Sequence, residues 1–133
     1  MTDHLMKSVQ DLRVFVPAES YPLARQYYLD LGFSLVWEGD QFACLQVGEF
    51  RFLLQNFYVK ELAGNLMMHL MVNDADLWWK HIQDIKLHEK YPDIMCSPPT
   101  LQPWGLRVLY LSDPSGVLWH IADKPDGNGA PGQ

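Results

Sequence analysis

The residues of this chain that could do chemistry are few, and most of them lie in apolar segments. His69 and His120 each interrupt an apolar run, where an imidazole can bind a metal ion, contact a ligand or be satisfied inside the protein. Asp11 and Arg13 alternate with apolar residues, and their spacing also suits a simple ion pair. The two cysteines have no neighbouring base in the sequence and match no zinc motif. The chemistry therefore depends on which strand faces bring these side chains together.

Two similar strand–helix units position these side chains. Residues 11–16 and 67–72 each show two distinct faces at every second residue, which is the period of a β-strand. A break and an amphipathic helix follow each segment, with apolar residues at i, i+1, i+4, i+5 and i+8. Ser20 and Asp74 are suitable N-caps, and Gly32 is a suitable end for the first helix. The pattern predicts a duplicated β-α unit.

Short strands separated by turn residues follow each predicted helix. Glycine-containing turns at 39–40, 48–49 and 113–116 mark hairpins, the last with Pro and Gly at the positions that a type I turn favours. The predicted strands are 33–38, 41–47 and 50–56 in the first half, and 94–97, 106–112 and 117–122 in the second. Each half is therefore predicted to be a βαβββ module.

The domain organisation follows from these elements. A chain of 133 residues fits one domain, which we place at 1–122. Its two modules are expected at 9–56 and 67–122, with a linker over 57–66. We expect the segment 123–133, rich in Gly and Pro, to be a disordered tail.

Composition argues against several classes of function. The formal charge is −6 and there is no run of Lys or Arg, so a nucleic-acid surface is not expected. No apolar stretch approaches the ~20 residues that cross a bilayer, and the first residues do not resemble a signal peptide. Two cysteines are too few for a disulfide scaffold, which favours a reduced, cytoplasmic protein.

Two short sequence motifs resemble those of a known protein family. Residues 23–33 read LARQYYLDLGF, and Trp104-Gly105 is followed at 113–121 by DPSGVLWHI. With the doubled unit, these motifs resemble the vicinal oxygen chelate superfamily of glyoxalases, extradiol dioxygenases and bleomycin-resistance proteins, over residues 9–123. The resemblance implies an α+β fold in which two βαβββ modules form a curved mixed sheet cup, with the helices on its outer face.

The resemblance also assigns the faces of the strands. Uniformly apolar faces should pack under the helices, and these include Leu12, Val14 and Val16, Met68, Leu70 and Val72, and Phe50, Phe52 and Leu54. The other faces should line the cup and bind a ligand. The predicted ligand-binding residues are Asp11, Arg13, Phe15, Arg51, Gln55, Met67, His69, Met71, Trp104 and His120.

Of the four positions where metal-dependent members hold an ion, two fall here on residues that could bind it, Asp11 and His120, and two on unsuitable residues. The four correspond to Asp11, Arg51 or Leu53, Met67 and His120, and neither an arginine, a leucine nor a thioether suits a hard ion. We therefore expect no cofactor. The alternative is a shifted set, with each replacement two residues along its strand, that would hold Zn, Ni, Fe or Mn. Its members are Asp11, Gln55, His69 and His120.

Two functions remain open at this point. The first is a small-molecule binding protein of the bleomycin-resistance type, a homodimer that sequesters a planar aromatic or antibiotic-like ligand without metal. The alternative is a metal-dependent lyase, dioxygenase or transferase of the glyoxalase and dioxygenase type, which would use the shifted set. The charge of the ligand stays open, because the net charge favours a cation whereas Arg13 and Arg51 favour an anion.

Overall fold

The computed structural model describes residues 2–125, which form five helices and eight strands. The helices are α1 (Asp3–Lys7), α2 (Tyr21–Leu31), α3 (Lys60–Asn65), α4 (Ala75–Asp84) and α5 (Leu87–Lys90). The strands are β1 (Phe15–Pro17), β2 (Ser34–Glu38), β3 (Phe42–Val47), β4 (Phe50–Gln55), β5 (Met67–Met71), β6 (Thr100–Leu101), β7 (Arg107–Ser112) and β8 (Leu118–Asp123). Most of the predicted tail lies outside the described residues, and its first residue, Asp123, ends β8.

The strands form two four-stranded sheets with the same topology. Their strand orders are β1-β4-β3-β2 and β5-β8-β7-β6. In each sheet the first pair is parallel and the remaining pairs are antiparallel. The prediction of an α+β fold with two βαβββ modules and mixed sheets is confirmed. Both sheets are open, and neither closes into a barrel.

The two long helices begin where the sequence indicates, and α2 also ends at the predicted glycine. Gly32 stops α2 with a φ of 113°, a backbone conformation that favours glycine. Asp74 caps α4 by accepting a hydrogen bond from the backbone N–H of Asp76. Helix α2 packs on β2 and β4, and α4 packs on β7 and β8. Each sheet is thus covered on one face by its own helix, and the opposite face is open.

One hydrophobic core joins the helix-covered faces of both modules. Tyr28 of α2 is fully buried, with its ring 5.2 Å from the Phe52 ring and 5.9 Å from that of Trp119. Its hydroxyl donates to Asp113 Oδ2 at 2.6 Å and accepts from Trp119 Nε1 at 3.0 Å. Because Tyr28 belongs to the first module and its partners Asp113 and Trp119 belong to the second, these contacts fix the two modules against each other.

The predicted first strand was too long, and two of the predicted face assignments, one in this segment and one in β4, were wrong. Ladder pairing begins at Phe15, so residues 11–14 are outside the strand. Leu12 and Phe50, both expected under a helix, are 91% and 72% exposed. Continuing the parallel register of β1 and β4 places these two residues side by side, at the end of the sheet beyond the cover of α2. The alternation of apolar residues therefore identified the face of the sheet, but it did not show how far along that face the helix extends.

Two other segments differ from their prediction, and the N-terminal residues contain a helix where no element was predicted. The linker over 57–66 contains α3, and the N-terminal residues form the exposed helix α1. The predicted strand at 94–97 is a single bridge between Cys96 and Leu111, and the short strand β6 lies further on. Within residues 2–125, no helix is both long and apolar enough to cross a membrane.

Candidate functional site

The open face of the second sheet carries a row of three ring side chains on neighbouring strands. His69 of β5 pairs in register with His120 of β8, which pairs with Tyr110 of β7. The ring centroids of the two histidines are 5.9 Å apart, and those of His120 and Tyr110 are 4.8 Å apart. Met71 lies beside His69, with 3.2 Å between its sulfur and His69 Nε2. The sheet register therefore groups residues that are far apart in sequence.

Tyr110 is a member of this row that the sequence analysis left unassigned. The turn over 113–116 held the signal, because a hairpin register places Ser112 opposite Leu118 and hence Tyr110 opposite His120. Burial lowers the pKa of His120, and the neighbouring His69 lowers it further. His120 is therefore neutral at pH 7 and can either donate or accept a hydrogen bond, depending on its tautomer.

A group of polar and charged side chains lies beside the open face of the first sheet, in the segment before β1 and on β3 and β4. Arg13 Nε donates to Asp11 Oδ2 at 2.8 Å, and Arg51 Nε donates to Gln46 Oε1 at 2.9 Å. The hydrogen bond from Arg13, together with one from the Leu12 backbone N–H, lowers the pKa of Asp11. The carboxylate of Asp11 is thus engaged by its own neighbours in the chain.

Three aromatic side chains cluster further along the same face. The Phe42 ring lies 6.3 Å from that of Phe15 and 5.3 Å from that of Trp37, both edge-on. Phe15 was predicted to face the ligand, whereas Phe42 and Trp37 were left undecided. A β-bulge between Leu35 and Trp37 shifts the register, so simple alternation does not assign Trp37 to a face.

A cavity of about 330 Å³ lies where the β3–β4 hairpin meets the edge strand β5. Its walls are mostly apolar, and Arg51 and His69 are its polar side chains. The lining residues are Val47, Phe50, Arg51, Phe52, Met68, His69, Leu70, Met71 and Trp119. This combination of apolar walls and a few polar groups is typical of a small-molecule site.

The cavity contains three of the predicted ligand-binding residues: Arg51, His69 and Met71. His120 lies next to His69 on the neighbouring strand, outside the lining. The remaining predicted residues lie elsewhere. Asp11, Arg13, Phe15 and Gln55 are on or beside the open face of the first sheet, Met67 starts β5, and Trp104 is exposed before β7.

A second cleft, of about 390 Å³, lies on the helix side between α2, α4 and the β2–β3 strands. Its histidine is already engaged, since His81 Nε2 lies 2.7 Å from the carbonyl oxygen of Leu31. It contains no charged side chain among its described lining residues. Although it is the larger of the two, it offers no charged group that could orient a ligand, so the cavity beside β5, which has Arg51, is the better candidate.

Comparison with solved structures identifies the fold. A bleomycin-binding protein in complex with bleomycin superposes with a TM-score of 0.74 at 19% identity, covering 87% of this chain and 99% of that one. The antibiotic-binding protein TnmS3 from a Streptomyces species gives 0.67 at 18% identity, with 88% and 98% covered. A lactoylglutathione lyase from Agrobacterium tumefaciens gives 0.62 at 15%, with 86% and 94% covered.

The chain has the vicinal oxygen chelate fold. The resemblance noted in the sequence is thereby confirmed at the level of the fold. No family model matches the sequence, and no curated protein matches it either. At these identities the likeness establishes the architecture, and the site has to be interpreted from its own residues.

The donor groups do not suit the divalent ion that metal-dependent members of this fold hold. Within residues 2–125, no three His, Cys, Asp or Glu side chains come together. Asp11, which both the direct and the shifted ligand sets require, is paired with Arg13. The absence of a divalent cofactor nevertheless stays a prediction, which a metal analysis of the purified protein would test.

Proposed function

We propose that the protein binds and sequesters a small planar aromatic or antibiotic-like molecule in the cavity beside β5, without a divalent metal. The observation that carries the proposal is the placement of Arg51, His69 and Met71 in one cavity with apolar walls. Apolar side chains contribute affinity by removing flat ligand surface from water, and the two polar groups fix its orientation. Methionines adapt to irregular ligand shapes. Proteins of the same fold that bind bleomycin or an antibiotic support this interpretation.

The charge on the cavity wall favours an anionic ligand. Arg51 is a permanent cation, and the described lining residues include no carboxylate. Arginine pairs with a carboxylate through two parallel hydrogen bonds, whereas a cationic ligand would meet repulsion here. The net charge of −6 resides elsewhere on the molecule, and solubility is sufficient to account for it. We therefore assign an aromatic carboxylate as the preferred chemical class.

We further propose that the protein works as a cytoplasmic homodimer. Phe15 and Met67 expose large apolar surface on the open faces, and Trp104 does so in the turn before β7, as a self-association surface would. Cys44 and Cys96 are both free thiols, as is usual in a reducing compartment.

Isothermal titration calorimetry with two matched probes tests ligand class and site together. The probes are 2-naphthoate and 2-naphthylmethylammonium, which share a ring system and carry opposite charge. We expect saturable binding of the naphthoate at one site per chain and weaker binding of the ammonium probe. Arg51→Gln should weaken naphthoate binding about tenfold, since a charge-assisted hydrogen bond contributes roughly 1.5–3 kcal/mol.

The matched control is Lys80→Gln, because Lys80 is an exposed cation of α4 that does not line the cavity. It should leave both affinities unchanged. Equal binding of the two probes, or equal loss in Arg51→Gln and Lys80→Gln, would contradict the assignment of an anionic ligand to this cavity.

A further inference from the structure

We propose that Gln46 is a positioning residue that holds the guanidinium of Arg51 ready for the anionic ligand of the cavity beside β5. The inference rests on the function proposed above and adds a residue from outside the cavity wall. Gln46 is not among the described residues that line that cavity; it lines the cleft on the helix side instead. It therefore acts through Arg51 and makes no contact with the ligand itself.

The β3–β4 hairpin places the two side chains directly opposite each other. Val47 pairs with Phe50 across the turn, and Gln46 pairs with Arg51 as the next pair along the ladder. Directly opposite residues of antiparallel strands point to the same face, with their Cβ atoms about 4.5–5.5 Å apart. Arg51 Nε donates to Gln46 Oε1 at 2.9 Å. The register of the hairpin thus brings these two side chains into contact.

The orientation of the Gln46 amide is fixed from both ends. Gln46 Nε2 donates to the carbonyl oxygen of Gly48 in the turn at 2.8 Å, while Oε1 accepts from Arg51. A backbone carbonyl only accepts and a guanidinium only donates, so a flipped amide would set oxygen against oxygen and N–H against N–H. The amide oxygen is therefore kept towards Arg51.

The contact with Gln46 leaves the outer edge of the guanidinium free. It engages the Nε–H, and within residues 2–125 neither Nη nitrogen of Arg51 has a hydrogen bond or an ion pair. The N–H groups of these two nitrogens form a fork that binds a carboxylate through two parallel hydrogen bonds. Gln46 therefore restrains Arg51 without occupying the groups that a ligand carboxylate needs.

Without Gln46, Arg51 would be a mobile side chain with another anion nearby. Arg51 is exposed, and Gln46 is its one hydrogen-bond partner among the described residues. The hydrogen bond from Arg13 contributes most to the lowered pKa of Asp11, but the charge of Arg51 contributes as well, so this carboxylate attracts Arg51. A ligand would then have to immobilise Arg51 and draw it from Asp11, at a cost in affinity.

Calorimetric titration of Gln46→Leu with two probes that share a ring system tests this role. The probes are 2-naphthoate and the uncharged 2-naphthylmethanol. Gln46→Leu should weaken naphthoate binding by about two- to tenfold, the effect of having to order one long side chain on binding. It should leave the affinity for naphthylmethanol, which has no carboxylate for the fork, unchanged. The control Gln26→Leu removes an exposed glutamine that bonds to Asp30 on α2, and it should bind both probes as the wild type does.

A double-mutant cycle separates positioning from a general effect on the fold. In the Arg51→Gln background, Gln46→Leu should cause no further loss of naphthoate affinity, because Gln46 acts only through Arg51. An equal loss in both backgrounds, or an equal loss for both probes, would overturn the inference, since Gln46 would then only support the hairpin. Circular dichroism establishes that each variant is folded, and Gln46→Met takes the place of Gln46→Leu if the branched side chain disrupts β3.

A proton–nitrogen NMR spectrum of the free protein gives a readout that does not depend on a ligand. The Nε–H of Arg51 should exchange with water more slowly in the wild type than in Gln46→Leu, because its hydrogen bond protects it. Equal exchange in the two proteins would overturn the inference. Unchanged naphthoate affinity in Gln46→Leu, together with a loss in Arg51→Gln, would overturn it alone, whereas no naphthoate binding to the wild type would overturn the proposed function as well.

Discussion

Asp123 joins the end of β8 to the start of α4 through a carboxylate in a residue that is only 1% exposed. Its oxygens accept from the Ala75 backbone N–H at 2.6 Å and from Arg107 at 2.6 and 2.9 Å. Asp123→Asn removes the buried carboxylate, while the partly exposed Arg107 keeps Asp76 at 3.2 Å, and should lower the free energy of unfolding by about 2 kcal/mol. Urea denaturation at pH 7 measures the change. Asp84→Asn, in an exposed ion pair, should change it by less than about 1 kcal/mol.

The same residue predicts a pH dependence. Burial raises the pKa of Asp123, but the hydrogen bonds from Arg107 and Ala75 outweigh it, so the pKa lies below the ordinary 3.8. A lowered carboxyl pKa stabilises the folded state above the unfolded-state pKa, and that contribution is lost as the pH falls through the folded-state pKa. The stability difference between wild type and Asp123→Asn should therefore be constant above about pH 5 and shrink below about pH 4. A difference that grows on acidification would contradict this account.

At the residue scale, the sequence predicted on which face of its strand a side chain lies, because successive residues of a strand alternate between the two faces. Alternation separated each strand into two faces, and the family resemblance assigned the faces that carry His69, Met71 and Arg51 to the side opposite the helices. Neither placed Tyr110 beside His120 or brought Arg51 near His69. These contacts arise from strand pairing and from the packing of one module against the other, which are non-local.

At the scale of elements, the contact of α2 with the second module holds the cavity walls in place. The Tyr28 hydroxyl serves two buried partners, Asp113 and Trp119. Tyr28→Phe leaves Asp113 Oδ2 and Trp119 Nε1 without this partner and should cost about 2–3 kcal/mol in the free energy of unfolding, measured with urea. Tyr21→Phe removes an exposed hydrogen bond to Glu38 and should cost less than about 1 kcal/mol. Equal effects would mean that the interface does not depend on the Tyr28 hydroxyl.

Replacing each of two glycines by alanine should change the stability of the protein in opposite directions. Gly32 ends α2 at a φ of 113°, so Gly32→Ala should destabilise the protein by about 1–2 kcal/mol. Gly64 lies inside α3 with open space around it and no positive φ, so Gly64→Ala should stabilise it by about 0.5–1 kcal/mol. Thermal unfolding of both variants measures the difference. Destabilisation by both would show that backbone conformation is not the cause.

The elements that the sequence predicted well are those with strong periodicity. Helices α2 and α4 have apolar stripes and recognisable N-terminal residues, and α2 also has a glycine at its end, so these bounds follow from local rules. The elements that it missed are short. Strand β6 has two residues and β1 has three, and each is defined by pairing with a neighbour more than by its own pattern.

At the scale of the whole molecule, the open faces leave large apolar side chains in water. Trp104 is 56% exposed before β7, and Leu77 is 64% exposed on the helix side. If the open faces form the dimer, Trp104→Glu should shift the protein to a monomer in light scattering, because a charge would be buried at the interface. Leu77→Glu, on the other side of the second module, should remain a dimer. Dissociation by Leu77→Glu alone would place the interface on the helices.

The most direct test of the central claim, that the cavity beside β5 holds an aromatic carboxylate, uses the methionine methyl groups as reporters. Met68 and Met71 line the cavity, whereas Met6 on α1 and Met95 lie away from it. In a titration of methyl-labelled protein with 2-naphthoate followed by NMR, the signals of Met68 and Met71 should shift saturably while those of Met6 and Met95 stay in place. Shifts confined to Met6 or Met95, or no shift at Met68 and Met71 at saturating probe, would contradict the claim.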